Sequence, residues 1–155
     1  MIQMKNICVT TDFSINSAAV IPYALDIAKL YSSQIWLVHV FDGTYLYEAA
    51  EEGGEGHFPN PAHWLDPIYA RLENKLQEDA AQLSANHGIR FNPVLLKGDT
   101  VSEIVKYIKS AEVDCLILST HGRTGLAHML FGSIAERLVR SSSCPVLTIR
   151  PPPHR

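Results

Sequence analysis

Short apolar runs alternate with longer segments of helical period along the whole chain, and that alternation leaves few folds open. The runs are KNICVT (Lys5 to Thr10), QIWLVHVF (Gln34 to Phe41), RFNPVLLK (Arg90 to Lys97), DCLILS (Asp114 to Ser119) and PVLTIR (Pro145 to Arg150). Between them, Ser14 to Tyr31 repeats apolar residues at Ala18, Ile21, Leu25, Ala28 and Leu30, with Ser14 placed as an N-cap. Trp64 to His87 repeats them at Leu65, Ile68, Leu72, Leu76, Ala80 and Leu83, and Gly88 is positioned to end that helix. Thr100 is the expected cap of a helix in TVSEIVKYIKSA, and SIAERLVRSS supplies the last helix. Strands that alternate with helices form right-handed βαβ units. The expected fold is therefore α/β, a single-domain doubly wound sheet of five parallel strands in the order 3-2-1-4-5, with helices on both faces.

Composition narrows the partners. A chain of 155 residues with 46% hydrophobic content suits one domain spanning 1–155. Thirteen basic against 16 acidic residues give a net charge of −3, which offers no footprint for nucleic acid or an anionic membrane. No apolar run approaches the roughly 20 residues of a membrane span, and the amino-terminal segment lacks a signal-peptide pattern. Cys8, Cys115 and Cys144, odd in number and widely spaced, read as buried thiols in a reducing compartment. A cytoplasmic location is expected. Residues 42–60 carry five acids and no lysine or arginine, and read as a long acidic loop that could fold over a ligand. Residues 151–155 form a proline-rich tail, and proline cannot extend a strand ladder.

In an open parallel sheet, ligands bind at the carboxyl ends of the strands where the order reverses. Here that point lies between the first and fourth strands, which end in TTDFS (Thr10 to Ser14) and STHGRTG (Ser119 to Gly125). Gly122 permits a sharp turn there, and Gly132-Ser133 opens a helix whose first amides point at incoming anions. Arg123 and His128 could add positive charge. These glycines could equally be ordinary turn and cap residues, and neither G-x-x-x-x-G-K-[ST] nor G-x-G-x-x-G occurs. Other chemistries are weaker. Ser133, His121 and Asp12 lack the G-x-S-x-G elbow of a hydrolytic triad, and His57, His63, Glu55 and Asp66 fit no metal-ligand spacing, so no metal site is expected.

The stretch THGRTGLAHMLFGSIAERLVRSSSCPVLTIR, with CVTTDFS and WLVHVFD, closely resembles the universal stress protein family over essentially the whole chain. Nucleotide-binding members carry G-x2-G-x9-G-[S/T], and Gly122, the nine residues Arg123 to Phe131, and Gly132-Ser133 match its second half. The resemblance implies ATP or AMP as ligand, with Mg²⁺ accompanying ATP. Asp12 would sit near the ribose or phosphates, Val40 at the adenine, and Gly122, Gly132 and Ser133 at the phosphates; Thr10, Thr11, Ser119, His121, Arg123 and Ile134 complete the implied nucleotide-binding set. Two positions depart from the family pattern. Ser119 stands where the motif has its first glycine, and Thr10 where related sequences often have proline. If position 119 needs a positive φ, its Cβ costs about 1–2 kcal/mol. The resemblance also implies a homodimer paired through the final strand. The expected function is a cytoplasmic stress-response binding module, with a slow ATPase or phosphotransferase in the same crevice as the alternative. With no evident base or lysine clamp, no catalytic residue is assigned.

Overall fold

The computed structural model describes residues 2–43, 61–121 and 132–151. In chain order the elements are β1 (Asn6–Thr10), α1 (Ile15–Ala18), α2 (Ile21–Tyr31), β2 (Gln34–Phe41), α3 (Pro61–His87), β3 (Phe91–Lys97), α4 (Thr100–Ser110), β4 (Cys115–Ser119), α5 (Ser133–Ser141) and β5 (Val146–Ile149). All strand pairs are parallel, in the order β3-β2-β1-β4-β5. This is the expected α/β fold and strand order.

The strands form because their apolar residues can be covered on both sides. On β1, Ile7, Cys8 and Val9 are fully buried, and alternation sends Ile7 and Val9 to one face and Cys8 to the other. The first face packs Ile7, Val9, Ile35 and Leu37 against Ala24 and Ala28 of α2 and Leu76 and Ala80 of α3. The second packs Cys8, Val38 and Leu116 with Val101, Ile104 and Ile108 of α4 and Leu138 of α5. Each fully buried leucine or isoleucine contributes roughly 1.5–3 kcal/mol, so both layers matter to stability. Pro93 is tolerated because β3 is an edge strand, where a missing N–H can face outward. Asp114 fastens the start of β1, its Oδ2 accepting from the backbone N–H groups of Lys5 (2.7 Å) and Asn6 (2.8 Å).

Two local expectations are corrected. The helix expected over Ser14 to Tyr31 is two helices, broken at Ala19 and Val20. Pro22 is the cause: it has no N–H to donate, and its ring would meet the carbonyl of Ala18 in a continuous helix. Ser14 does cap, accepting from the Ser17 N–H at 3.1 Å, but it caps only α1. At α4 the cap is Asp99 rather than Thr100, which is the first helical residue. Asp99 Oδ1 accepts from the Ser102 N–H at 3.0 Å and from Ser102 Oγ at 2.6 Å. Gly88 follows α3 with φ +65° and donates to the Ser84 carbonyl, as a C′ glycine does. Among the described residues, no helix is long and apolar enough to cross a membrane. Residues 44–60 of the acidic segment and 152–155 of the proline-rich tail lie outside the described residues.

The Asp99 cap generates a prediction. The Ser102 hydroxyl and then the Ser102 amide, with Arg137 adding to them, hold the Asp99 carboxyl below the ordinary carboxylate range. A depressed folded value contributes stability that is complete above the unfolded pKa of about 3.9 and is lost as pH falls through the lower folded value. Asp99→Ala should therefore lower stability by about 1 kcal/mol at pH 7. The wild-type advantage should shrink below pH 4 in thermal melts followed by circular dichroism; an equal gap at pH 7 and pH 2.5 would contradict it.

Candidate functional site

The strands on either side of β1 are reached by connections that diverge, and a cleft of about 330 Å³ opens at the carboxyl ends of β1, β2 and β4. Thr10, Thr11 and Asp12 leave β1 at its centre. Val38, His39 and Val40 line it from β2, and Leu118, Ser119, Thr120 and His121 from β4 and its exit. Thr100 and Ile104 close it from α4, and Gly132, Ser133, Ile134, Ala135 and Leu138 from α5.

Each wall has a local cause. The turn after β1 is held by side chains: Thr11 Oγ1 accepts from the Phe13 N–H at 3.0 Å, and Asp12 Oδ1 accepts from both the N–H (3.0 Å) and the hydroxyl (2.5 Å) of Ser14. Phe13 has φ +62°, a left-handed conformation uncommon for a bulky residue. Below it His39, buried in β2, donates from Nδ1 to the Thr11 carbonyl at 2.7 Å, and its ring lies 4.5 Å from that of Phe13. On the other side, Ser119 Oγ donates to the His121 carbonyl at 2.8 Å, and Thr120 Oγ1 and His121 Nδ1 share a hydrogen bond of 2.8 Å. The Gly132 N–H donates to the Thr120 carbonyl at 2.8 Å, which brings the start of α5 against the end of β4.

Of the residues singled out from sequence, Thr10, Thr11, Asp12, Val40, Ser119, His121, Gly132, Ser133 and Ile134 line this one cleft. Gly122 and Arg123 lie outside the described residues, as do Gly125, His128, Glu55 and His57. Asp66 is exposed on α3, and no cluster of three metal-ligating groups occurs among the described residues. Ser119 has no positive φ; it ends β4 in extended conformation opposite Ile149, so the serine carries no left-handed penalty. Gly132 is equally ordinary in backbone, with φ −68°. Its requirement is space, since an added Cβ would stand 3.1 Å from the Thr120 carbonyl oxygen.

Sequence reasoning missed Ser17, Val38, His39, Thr100, Ile104, Leu118, Thr120, Ala135 and Leu138. The apolar ones are indistinguishable in sequence from core. His39 carried a signal, being the single ionisable residue inside the apolar run QIWLVHVF. No cysteine lines the described cleft, and burial, as the leading cause, pushes the Cys8 thiol far up and the Cys115 thiol to about 11.

Residues 4–150 match the model of the universal stress protein family. The universal stress protein MJ0531 of Methanocaldococcus jannaschii is 28% identical over 151 residues, covering 96% of this chain and 83% of that protein. The solved structure of MJ0577, from the same organism, superposes with a TM-score of 0.80 at 23% identity, covering 97% of this chain and 98% of that one. A universal stress protein in complex with cAMP gives a TM-score of 0.65 at 20% identity, covering 96% and 98% of the two chains. An AMP-bound family protein of Arabidopsis thaliana gives 0.63 at 19%, covering 94% and 91%.

The close approach at Gly132 can be separated from any ligand. Gly132→Ala should destabilise the ligand-free protein by about 1–3 kcal/mol, from the crowding against Thr120 and the poorer capping by alanine. Denaturant unfolding without nucleotide measures it; an unchanged midpoint would mean that the glycine answers to something other than this contact.

Proposed function

The chain belongs to the universal stress protein family, and we propose that its cleft binds an adenine nucleotide, ATP or AMP, the protein acting as a cytoplasmic stress-response module whose state follows the bound nucleotide. The observation that carries this reading is the division of the cleft by element. β2 and α4 supply Val40 and Ile104, with Leu118 beside them, an apolar slot for a planar base. β4 and α5 supply the hydroxyls of Ser119, Thr120 and Ser133 and the first amides of α5, which suit phosphate oxygens. Thr10, Thr11 and Asp12 stand between them. The nucleotide complexes of fold neighbours support an adenine nucleotide as the occupant.

Asp12 fits the sugar end. Its Oδ1 already accepts two hydrogen bonds from Ser14, so the carboxylate is oriented by the turn and offers an acceptor for ribose hydroxyls. It is the single carboxylate lining the described cleft, and Mg²⁺ held by one carboxylate and substrate phosphates is a common arrangement. With ATP the ion would neutralise phosphate charge.

Binding is favoured over turnover because no lysine or arginine lines the described part of the cleft, whereas phosphoryl transfer depends on such charge at the transferring group. A slow ATPase is the alternative. A homodimer is also proposed, through β5, which is the edge strand of the sheet among the described residues.

Ser133→Asp tests the phosphate end with less risk to the fold than a change at Gly132. Ser133 is exposed at the first position of α5, where a carboxylate is favourable to the helix and needs no new Cβ. Its charge would face the phosphates. Calorimetric titration should give at least about tenfold weaker binding of AMP and Mg·ATP in the variant, one unmade charge-assisted contact being worth about 1.5–3 kcal/mol. Equal affinity in the two proteins would overturn the phosphate placement, and no binding by the wild type would overturn the reading as a whole. Incubation with ATP then separates the classes: nucleotide retained intact supports the module, and repeated turnover supports the enzyme.

A further inference from the structure

A second opening of about 330 Å³ lies on the opposite face of the β1 turn, between α1 with the start of α2 and the carboxyl-terminal half of α3. Its floor is Leu37 of β2, and Ile21 and Leu83 form apolar sides. It exists because α1 and α2 are not one rod: the break at Ala19 and Val20 lets the two helices diverge beside α3. Thr11 and Ser17 line both this groove and the nucleotide cleft, and their hydroxyls, 3.2 Å apart, form part of the wall between them.

The lining has a definite chemistry. The Phe13 ring stands at one end, fixed by its contact with His39 and by the left-handed turn. Asp79, Gln82, Leu83 and Asn86 recur at spacings of three and four, so α3 presents one stripe to the groove. Asp79 is already paired with Lys75 at 2.6 Å, and the same ammonium sits 5.9 Å from the centroid of Phe13. The carboxylate is thus neutralised within the protein. What remains for a ligand is the Phe13 ring, the carboxamides of Gln82 and Asn86 and an apolar floor.

We propose that this groove is a second small-molecule site, distinct from the nucleotide cleft, which takes an uncharged planar heterocycle bearing an amide-like edge. The ring lies against Phe13 and over Leu37, where stacking and burial need no charge. The edge exchanges hydrogen bonds with Gln82 and Asn86, each carboxamide offering both a donor and an acceptor. A charged ligand gains little here, because the Lys75–Asp79 pair leaves no uncompensated charge to meet it.

Nicotinamide is a suitable probe, being flat, neutral and a carboxamide. In amide NMR spectra of isotope-labelled full-length protein, titration with nicotinamide should shift Phe13, Ser14, Ala18, Leu83 and Asn86 along one saturable curve. The double variant Gln82→Ala, Asn86→Ala should raise the apparent Kd about tenfold, the scale set by losing two ordinary hydrogen bonds. Both positions are exposed on α3 and alanine favours helix, so the variant keeps its fold. The proposal is overturned if those amides show no saturable shift, if the double variant binds as the wild type does, or if the shifts fall only on Val40, Ile104 and Leu118 of the other cleft.

Discussion

The parallel pairing of β1 with β2 on one side and β4 on the other is the constraint from which the remaining structure follows. Ile7, Cys8 and Val9 are fully buried, so neither face of β1 can be given up to solvent. Burial on both faces requires helix layers above and below, and connections that leave a central strand in opposite directions cannot meet over its end. The ladder is carried right up to that gap: the Thr11 N–H donates to the Val38 carbonyl at 2.9 Å, and the Thr120 N–H to the Ile149 carbonyl at 2.9 Å. Backbone is thereby satisfied at the rim, and side chains and the first turn of α5 are left to face the cleft.

That constraint is also why so much of the fold was legible. A strand buried on both faces must be apolar throughout, and QIWLVHVF coincides with β2 residue for residue. Less visible were features decided by near-equal alternatives. Aspartate and threonine at positions 99 and 100 are both good N-caps, and only the backbone decides that Asp99, with ψ 123°, is the one outside the helix. The break before α2 was encoded in Pro22, but the apolar spacing ran on across it and masked the proline's effect. The cleft was half legible. Residues that leave the strands betray themselves by polarity and glycine, whereas Ile104, Leu118 and Leu138 serve core and cleft at once, and no sequence pattern separates the two duties.

Ser119 and Gly132 show how a motif can be matched for reasons unlike those first supposed. Glycine at a phosphate loop invites an argument from left-handed backbone, yet neither position has a positive φ. Ser119 is a strand residue, and its hydroxyl is engaged with the backbone of His121. Gly132 is small because α5 begins in contact with the carbonyl of Thr120. The glycine is a packing residue first, and any phosphate at α5 benefits from a helix start that this contact has already fixed.

Among the described residues by the cleft, the strained one is not a glycine. Phe13, at φ +62°, sits where a non-glycine conformation of this kind costs on the order of 1–3 kcal/mol, and it persists only because its surroundings over-determine it. Thr11 Oγ1 holds its N–H, Asp12 binds the residue that follows, and the ring is pinned between His39 and the groove beside α3. Relaxing Phe13 toward an ordinary extended backbone would withdraw the ring from His39 and part Ser14, the residue that follows, from Asp12 Oδ1. The strain therefore serves position: it holds the turn that places Asp12 at one cleft and the Phe13 ring at the other, with the Thr11–Ser17 contact as the shared wall.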